Sequence, residues 1–92
     1  MTKLNNEFNL IDGVFTGSEA GELLSTLFTD KTRFHTLKNF SHKERLGKPD
    51  IHSEERVQKL EETHKKILDF LKNSNGDNKF EICANIIIKP LN

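Results

Sequence analysis

Hydrophobic and polar residues alternate near both ends of the chain and repeat at helical spacing between them. Residues 8–15 alternate with the two-residue period that is typical of a β-strand. One face would carry Phe8, Leu10, Asp12 and Val14, and the other Asn9, Ile11, Gly13 and Phe15. The Asp12-Gly13 pair is also a hairpin-turn signal, but the arms of such a hairpin would be very short. We therefore predict one strand that bends at Gly13.

A capping box predicts that a helix begins at Thr16. The Thr16 hydroxyl can accept a hydrogen bond from the Glu19 amide while the Glu19 carboxylate reaches back to the Thr16 amide. One side of this helix is apolar and consists of Ala20, Leu23, Leu24, Leu27, Phe28 and Phe34. No glycine or proline interrupts residues 22–46. We predict that the helix runs to about Phe40 and that a polar loop follows over residues 41–49.

A second helix is predicted to begin at Asp50 or Ser53, because either side chain can cap the first turn. Its apolar side follows a three-four spacing and consists of Val57, Leu60, His64, Ile67, Leu68 and Leu71. Residues 73–78, which include Gly76, end this helix. Residues 80–91 then form a β-branched strand. One of its faces carries Phe80, Ile82, Ala84, Ile86 and Ile88.

The order of these elements predicts an α+β fold, β-α-α-β, in which a helical hairpin packs on a small antiparallel sheet. We expect residues 1–92 to form a single domain. Hydrophobic residues make up 34% of the chain, so the core is thin, and a two-stranded sheet is marginal by itself. We therefore expect a homo-oligomer in which the sheet continues or the helical hairpins bundle.

The single cysteine, Cys83, excludes an intramolecular disulfide. It lies in an apolar segment, which predicts a buried, reduced thiol. No apolar stretch resembles a signal peptide or reaches the roughly 18 residues of a membrane span. These features predict a cytoplasmic protein, in its own cell or in a host cell, without a membrane partner.

The net charge is zero, but the charges are unevenly distributed. Residues 1–30 carry five acidic residues and one lysine, whereas residues 31–48 carry six basic residues and one glutamate. A local positive field of this kind attracts anionic ligands. The block also precedes a predicted helix N-terminus, whose amides can bind an anion. The alternative is an ordinary solvated helix end, because basic residues favour helix C-termini.

The basic block predicts a ligand-binding site. Its cationic members are Arg45, Lys43, Arg33, His42 and Lys48. The first three would hold phosphates, because guanidinium and ammonium groups donate hydrogen bonds to phosphate oxygens. Its aromatic members, which would contact a base, are Phe34, Phe40 and His35.

No catalytic residue, metal site or cofactor is predicted. The four histidines, His35, His42, His52 and His64, match no metal-ligand spacing. No base is recognisably oriented on a serine, a threonine or the cysteine. His64 is central in its apolar stripe, so we expect it to be buried and satisfied by one hydrogen bond. A sequence pI of about 6.9 argues against extended nucleic acid as a partner.

Several segments together resemble a group of short, uncharacterised bacterial and mobile-element proteins. The resemblance covers most of the chain and rests on residues 12–16 with Glu19 and Ala20, on Phe34 and His35, on residues 37–41, on residues 44–50 and on Arg56. No activity is assigned to that group, so the resemblance implies no catalytic residue. In size, architecture and local charge the chain is also similar to compact phage proteins that assemble into oligomers and sequester host immune nucleotides.

These observations predict a non-catalytic, oligomeric protein that sequesters a small anionic ligand such as a cyclic nucleotide. The first alternative is a protein-interaction module of the inhibitor or antitoxin type. The second alternative is a small, metal-independent enzyme that acts on a phosphodiester through histidine and lysine side chains.

Overall fold

The computed structural model describes residues 6–74 and 78–91. It consists of β1 (Asn6–Thr16), α1 (Gly17–Leu46), α2 (Ile51–Lys72) and β2 (Lys79–Ile88). The two strands pair antiparallel in a two-stranded sheet, against which the two helices pack. The predicted α+β fold with its β-α-α-β order is confirmed. The predicted helix-ending role of Gly76 lies outside the described residues.

β1 is one continuous strand, as predicted, but its irregularity lies at Leu10 rather than at Gly13. The pairing register with β2 shifts between Asn9 and Ile11. One extra residue in a strand turns the side chains that follow it onto the opposite face. Phe8 and Ile11 therefore share a face, although simple alternation assigns them to different faces.

The sheet has an apolar face toward the helices and a mainly polar outer face, on which Val14 and Ile87 are exposed. Ile11 on the apolar face is buried, and Phe80 packs edge-on against Phe70 of α2 with 6.1 Å between ring centroids. On the outer face Asn85 accepts a hydrogen bond from Asn9 and donates one to Glu7, both at 2.9 Å. The outer face is therefore compatible with water, and the sheet needs cover on one side only.

Thr16 and Asp50 cap the two helices. The Thr16 hydroxyl accepts from the Glu19 amide at 3.1 Å, and the Glu19 carboxylate accepts from the Thr16 amide at 2.9 Å. This is the predicted capping box. Asp50 accepts from the Ser53 amide and, at 3.0 Å, from the Ser53 hydroxyl. Of the two predicted starts for α2, Asp50 is the one that caps it.

α1 is longer than predicted, ending at Leu46 rather than near Phe40. No breaker precedes Gly47 in this region, and each added helical residue gains a backbone hydrogen bond. Gly47 ends the helix with a φ of 71°, a left-handed conformation that glycine adopts without steric cost. The predicted polar loop over residues 41–49 is therefore wrong, since only residues 47–50 connect the helices.

One copy of the chain buries little apolar surface. Among the described residues, the buried hydrophobic side chains are Ile11, Ala20 and Leu60. The Cα atoms fill a plate of 49 × 41 × 14 Å. Its smallest dimension, 14 Å, is the thickness of one helical layer packed on one sheet, with about 10 Å between the two layers. The core lies where the sheet crosses the first half of α1 and the middle of α2.

Candidate functional site

The helical course of α1 determines where the predicted ligand-binding residues lie. Seven of the eight are on this helix: Arg33, Phe34, His35, Phe40, His42, Lys43 and Arg45. The eighth, Lys48, lies in the connection between the helices. Successive residues of a helix point about 100° apart. α1 therefore directs these side chains to several sides and does not gather all of them into one site.

One side of α1 does gather Lys38, His42 and Arg45. They are four and three positions apart, so they lie on neighbouring turns, with about 5–6 Å between successive Cβ atoms. His42 donates its Nδ1 hydrogen to the Lys48 carbonyl oxygen at 2.9 Å, which holds the connection against this side of the helix. We call Lys38, His42, Arg45 and Lys48 the basic end.

Three other predicted residues point away from the basic end. Lys43 and Arg45 are two positions apart, which separates them by about 160° around the helix axis. Arg33 lies about 120° from Arg45, and Phe40 about 140° from it, by the same spacing. A flexible loop would allow these side chains to converge on one ligand, whereas the helix prevents it.

Phe34 is a predicted aromatic residue close to the basic end. It lies one turn before Lys38 on a neighbouring side of α1, and it is exposed. The Lys31 ammonium lies 5.3 Å from the centroid of its ring. One face of the ring therefore already has a cationic partner.

The connection between α1 and α2 is held by an asparagine from within α1. Asn39 Oδ1 accepts a hydrogen bond from the Asp50 amide at 2.6 Å. Its Nδ2 donates to the Glu54 carboxylate at 3.2 Å. Asn39 and Asp50 therefore stabilise the helical hairpin.

The N-terminus of α2 is occupied by its own carboxylate. Burial raises the pKa of Asp50, but the two hydrogen bonds from Ser53 and the charges of His42 and Lys38 together hold it below its ordinary value. A bound anion at these amides would have to displace or approach a negative charge. The amides of α2 are therefore unsuited to the predicted anion site, and Arg45 lies in the last turn of α1 rather than in a loop.

His35 lies beside the basic end but does not offer a nitrogen to a ligand. Both ring nitrogens are buried, and among the described residues neither has a hydrogen-bond partner. Desolvation by burial lowers the pKa of His35, and the positive charges of Lys31, Lys38 and Arg56 lower it further. The Asp50 carboxylate acts in the opposite direction. The imidazole is thus held neutral within a positive field.

His64 has a structural role. Its Nε2 is 2.9 Å from the Ser25 hydroxyl, and its ring stacks on Phe28 with 5.4 Å between centroids. The prediction that one hydrogen bond satisfies His64 is confirmed, although the side chain is half-buried rather than buried. The contact joins α1 to α2.

Cys83 is exposed, so the predicted buried thiol is wrong. It pairs with Asp12 on the outer face of the sheet, and its Sγ donates to Asp12 Oδ1 at 3.7 Å. Desolvation and then the charges of Asp12 and Glu81 raise the pKa of Cys83. A raised pKa disfavours the thiolate that nucleophilic chemistry requires.

The surroundings of the basic end are open. Two grooves of about 660 and 530 Å³ flank the first half of α1, beside Glu19 and Glu22 and away from the basic end. Within residues 6–74 and 78–91, no three His, Cys, Asp or Glu side chains are placed to hold a metal ion. The helices in this part of the chain are too short or too polar to cross a membrane. A ligand at the basic end would lie on an open surface.

Comparison of the chain with protein-family models, with curated proteins and with solved structures gives no match in any of the three. Function is therefore inferred from the geometry of the site.

Proposed function

We propose that this protein is a non-catalytic binding protein that holds a small anionic ligand at the basic end. The observation that carries the proposal is the position of Lys38, His42 and Arg45 on one side of α1. Side chains on neighbouring turns are close enough to contact the same phosphate group. A positive field from several cations would raise the local concentration of an anion there.

The three side chains would contribute differently. Arg45 presents a planar fork that can donate two parallel hydrogen bonds to a phosphate, whereas Lys38 is a compact charge. His42 uses its Nδ1 hydrogen on the Lys48 carbonyl oxygen, so its Nε2 is the atom directed to a ligand. This division predicts that Arg45 dominates the affinity.

Small nucleotides are the ligand class that we propose, with phosphate as the recognised group. Lys38, Arg45 and Lys48 are exposed, and an open surface supports binding more than catalysis, because catalysis needs reacting groups held in a water-excluding site. The nucleotide base would lie toward Phe34, whose ring is exposed on the neighbouring side of α1.

A protein-interaction module is the second candidate, and a different observation favours it. Around the end of the helical hairpin, Phe40, Leu46 and Ile51 are all more than half exposed. Exposed apolar side chains in one region are typical of surfaces that contact another protein. A protein partner would use these side chains rather than Arg45.

Calorimetric titration with inorganic pyrophosphate and a panel of mononucleotides, dinucleotides and cyclic nucleotides tests the proposal. We expect saturable binding without product formation. Arg45→Ala should weaken it by about 2–3 kcal/mol, or roughly 30- to 140-fold, the range for a lost hydrogen bond to a charged group.

Arg33→Ala is the matched control, because it removes the same side chain from the same helix on a different side. It should change the affinity by less than about twofold. Equal losses from Arg33→Ala and Arg45→Ala would mean that only the general charge matters, which contradicts a site at the basic end. No saturable heat with any of these anions would reject the proposal in favour of the protein-interaction module.

A further inference from the structure

Two apolar surfaces of this chain extend beyond the region where the sheet and the helices cover each other. The first is on α1. Ala20, near the start of the helix, is fully buried, whereas Phe34 and Leu37 are 56% and 58% exposed. Ala20 and Phe34 are separated by 14 positions, which places them within about 40° of each other around the helix. The side of α1 that is covered in its first half is therefore uncovered in its second half.

The second apolar surface is at one end of the sheet. Phe8 pairs with Ile86, and Asn6 pairs with Ile88. Directly paired residues share a face, which here is the face of the buried Ile11. Phe8 and Ile88 are nevertheless more than half exposed. Since Phe34 and Leu37 are exposed too, the two apolar surfaces do not cover each other within one chain.

The shape of the molecule agrees with an incomplete core. The accessible surface is 7665 Å², whereas a compact monomer of this mass would expose about 5,500 Å². The radius of gyration is 16.8 Å, against about 12 Å for a compact chain of this length. The excess area of about 2,000 Å² is larger than the roughly 800 Å² that each partner buries in a standard protein interface.

We propose that a second copy of the chain covers both surfaces. A two-fold axis would place the exposed sheet end of each copy on the second half of α1 of the other. Such an interface uses the same surface of both partners, and this chain carries both members of the contact. The packing would repeat the one within the chain, where Leu10 and Ile86 of the sheet line a cleft with Leu27 and Leu60 of the helices.

The charges favour this arrangement over a helix-to-helix one. The second half of α1, residues 31–46, has five basic residues and one glutamate. Glu7 and Asp12 of β1 lie on the outer face of the sheet, and over Asn6–Thr16 and Lys79–Ile88 the apolar face carries no charged residue. Sheet-on-helix contact therefore places an uncharged surface on the basic half of α1, whereas contact between two second halves of α1 would bring like charges together. The contact lies on the side of α1 that carries Lys38, which is 18 positions from Ala20, so a second copy and an anion would compete for the basic end.

Sedimentation equilibrium at micromolar concentrations tests the inference. We expect wild-type protein to have twice the 10.6 kDa chain mass. Phe34→Ser and Ile88→Ser should each raise the dimer dissociation constant by about tenfold or more, because each occurs twice in a symmetric interface.

Phe40→Ser is the matched control. Phe40 is 59% exposed, close to the 56% of Phe34, but it lies about 120° away around α1. Phe40→Ser should leave the dissociation constant of the dimer unchanged. Circular dichroism checks that each variant is folded. If Phe34→Ser does not fold, Ile88→Ser by itself tests the inference.

Three results would overturn the inference. The first is a wild-type monomer across the concentration range. The second is a dimer that neither Phe34→Ser nor Ile88→Ser weakens, which would mean that the copies meet elsewhere. The third is an equal effect of Phe40→Ser, which would mean that exposed apolar area on any side of α1 is sufficient. Binding of pyrophosphate measured on the same variants keeps this outcome separate from the proposed anion site.

Discussion

The two halves of α1 are built from similar residue types but have opposite surroundings. In the first half, residues 17–30, Ala20 is fully buried and the sheet covers the apolar side. In the second half, residues 31–46, Phe34, Leu37 and Phe40 are all exposed. The first half has acidic and no basic side chains, whereas the second half is mainly basic.

This difference separates stability from binding along a single helix. Burial of apolar surface is the main stabilising contribution to a fold, and here it is concentrated in the first half. Exposed apolar and charged side chains are concentrated in the second half, where they are available to a partner or a ligand. Substitutions in the two halves should therefore have different consequences.

The largest expected effect comes from the covered region. Leu60→Ala removes a buried side chain and should lower the free energy of unfolding by about 2–5 kcal/mol. Leu37→Ala makes the same kind of truncation in the uncovered half and should change the unfolding of the dilute protein by about 0.5 kcal/mol or less. Chemical denaturation at low protein concentration measures both, and equal losses would show that the second half of α1 is also packed within one chain.

Substitutions of Gly47 and Gly21 by alanine should change the stability with opposite signs. Gly47 has a φ of 71°, so Gly47→Ala should destabilise the protein by about 1–2 kcal/mol through backbone strain. A Cβ at Gly21 would meet no neighbour within 4 Å, so Gly21→Ala should stabilise the helix by about 0.5–1 kcal/mol. Thermal unfolding distinguishes the two. A neutral Gly47→Ala would contradict the helix end at Leu46.

The smallest expected effect is a pH dependence from His35. Burial lowers its folded-state pKa below the ordinary 6.5, so the unfolded chain binds the proton more readily. The free energy of unfolding should therefore decrease as the pH falls from about 6.5 toward the folded-state pKa, and level off below it. His35→Phe should flatten this slope in denaturation curves recorded at several pH values.

The Asp50 carboxyl group titrates at lower pH than His35, so it does not contribute to the slope measured near pH 6. Its pKa is lowered from 3.8, so it contributes stability that is present above that value and lost as the pH falls below it. An unchanged slope near pH 6 in His35→Phe would show that the buried imidazole does not control the effect.

The fold could be predicted from the sequence because its signals are local. The capping box at Thr16, the cap at Asp50 and the alternation in both strands each depend on residues within a few positions. The register shift at Leu10 could not be predicted in this way, because it depends on pairing with a strand more than 70 positions away. The length of α1 was also mispredicted, since a polar segment without breakers is compatible with either a loop or a helix.

That error in length accounts for most of the errors in the predicted site. A loop would allow Lys43 and Arg45 to converge, whereas the helix places them on nearly opposite sides. Lys38 was overlooked, although its position seven residues before Arg45 is the spacing of one helix face. Burial of the His35 ring nitrogens without a hydrogen-bond partner among the described residues depends on tertiary packing, which the sequence pattern does not specify.

The central claim is that the second half of α1 is a binding surface. Contacts between two copies of the chain test this claim most directly. Isotope-filtered nuclear Overhauser spectroscopy on a mixture of labelled and unlabelled protein detects such contacts between individual methyl groups. We expect contacts between Leu37 of one copy and Ile88 of the other. Spectra without intermolecular contacts, or with contacts only between the outer faces of the two sheets, would contradict the claim.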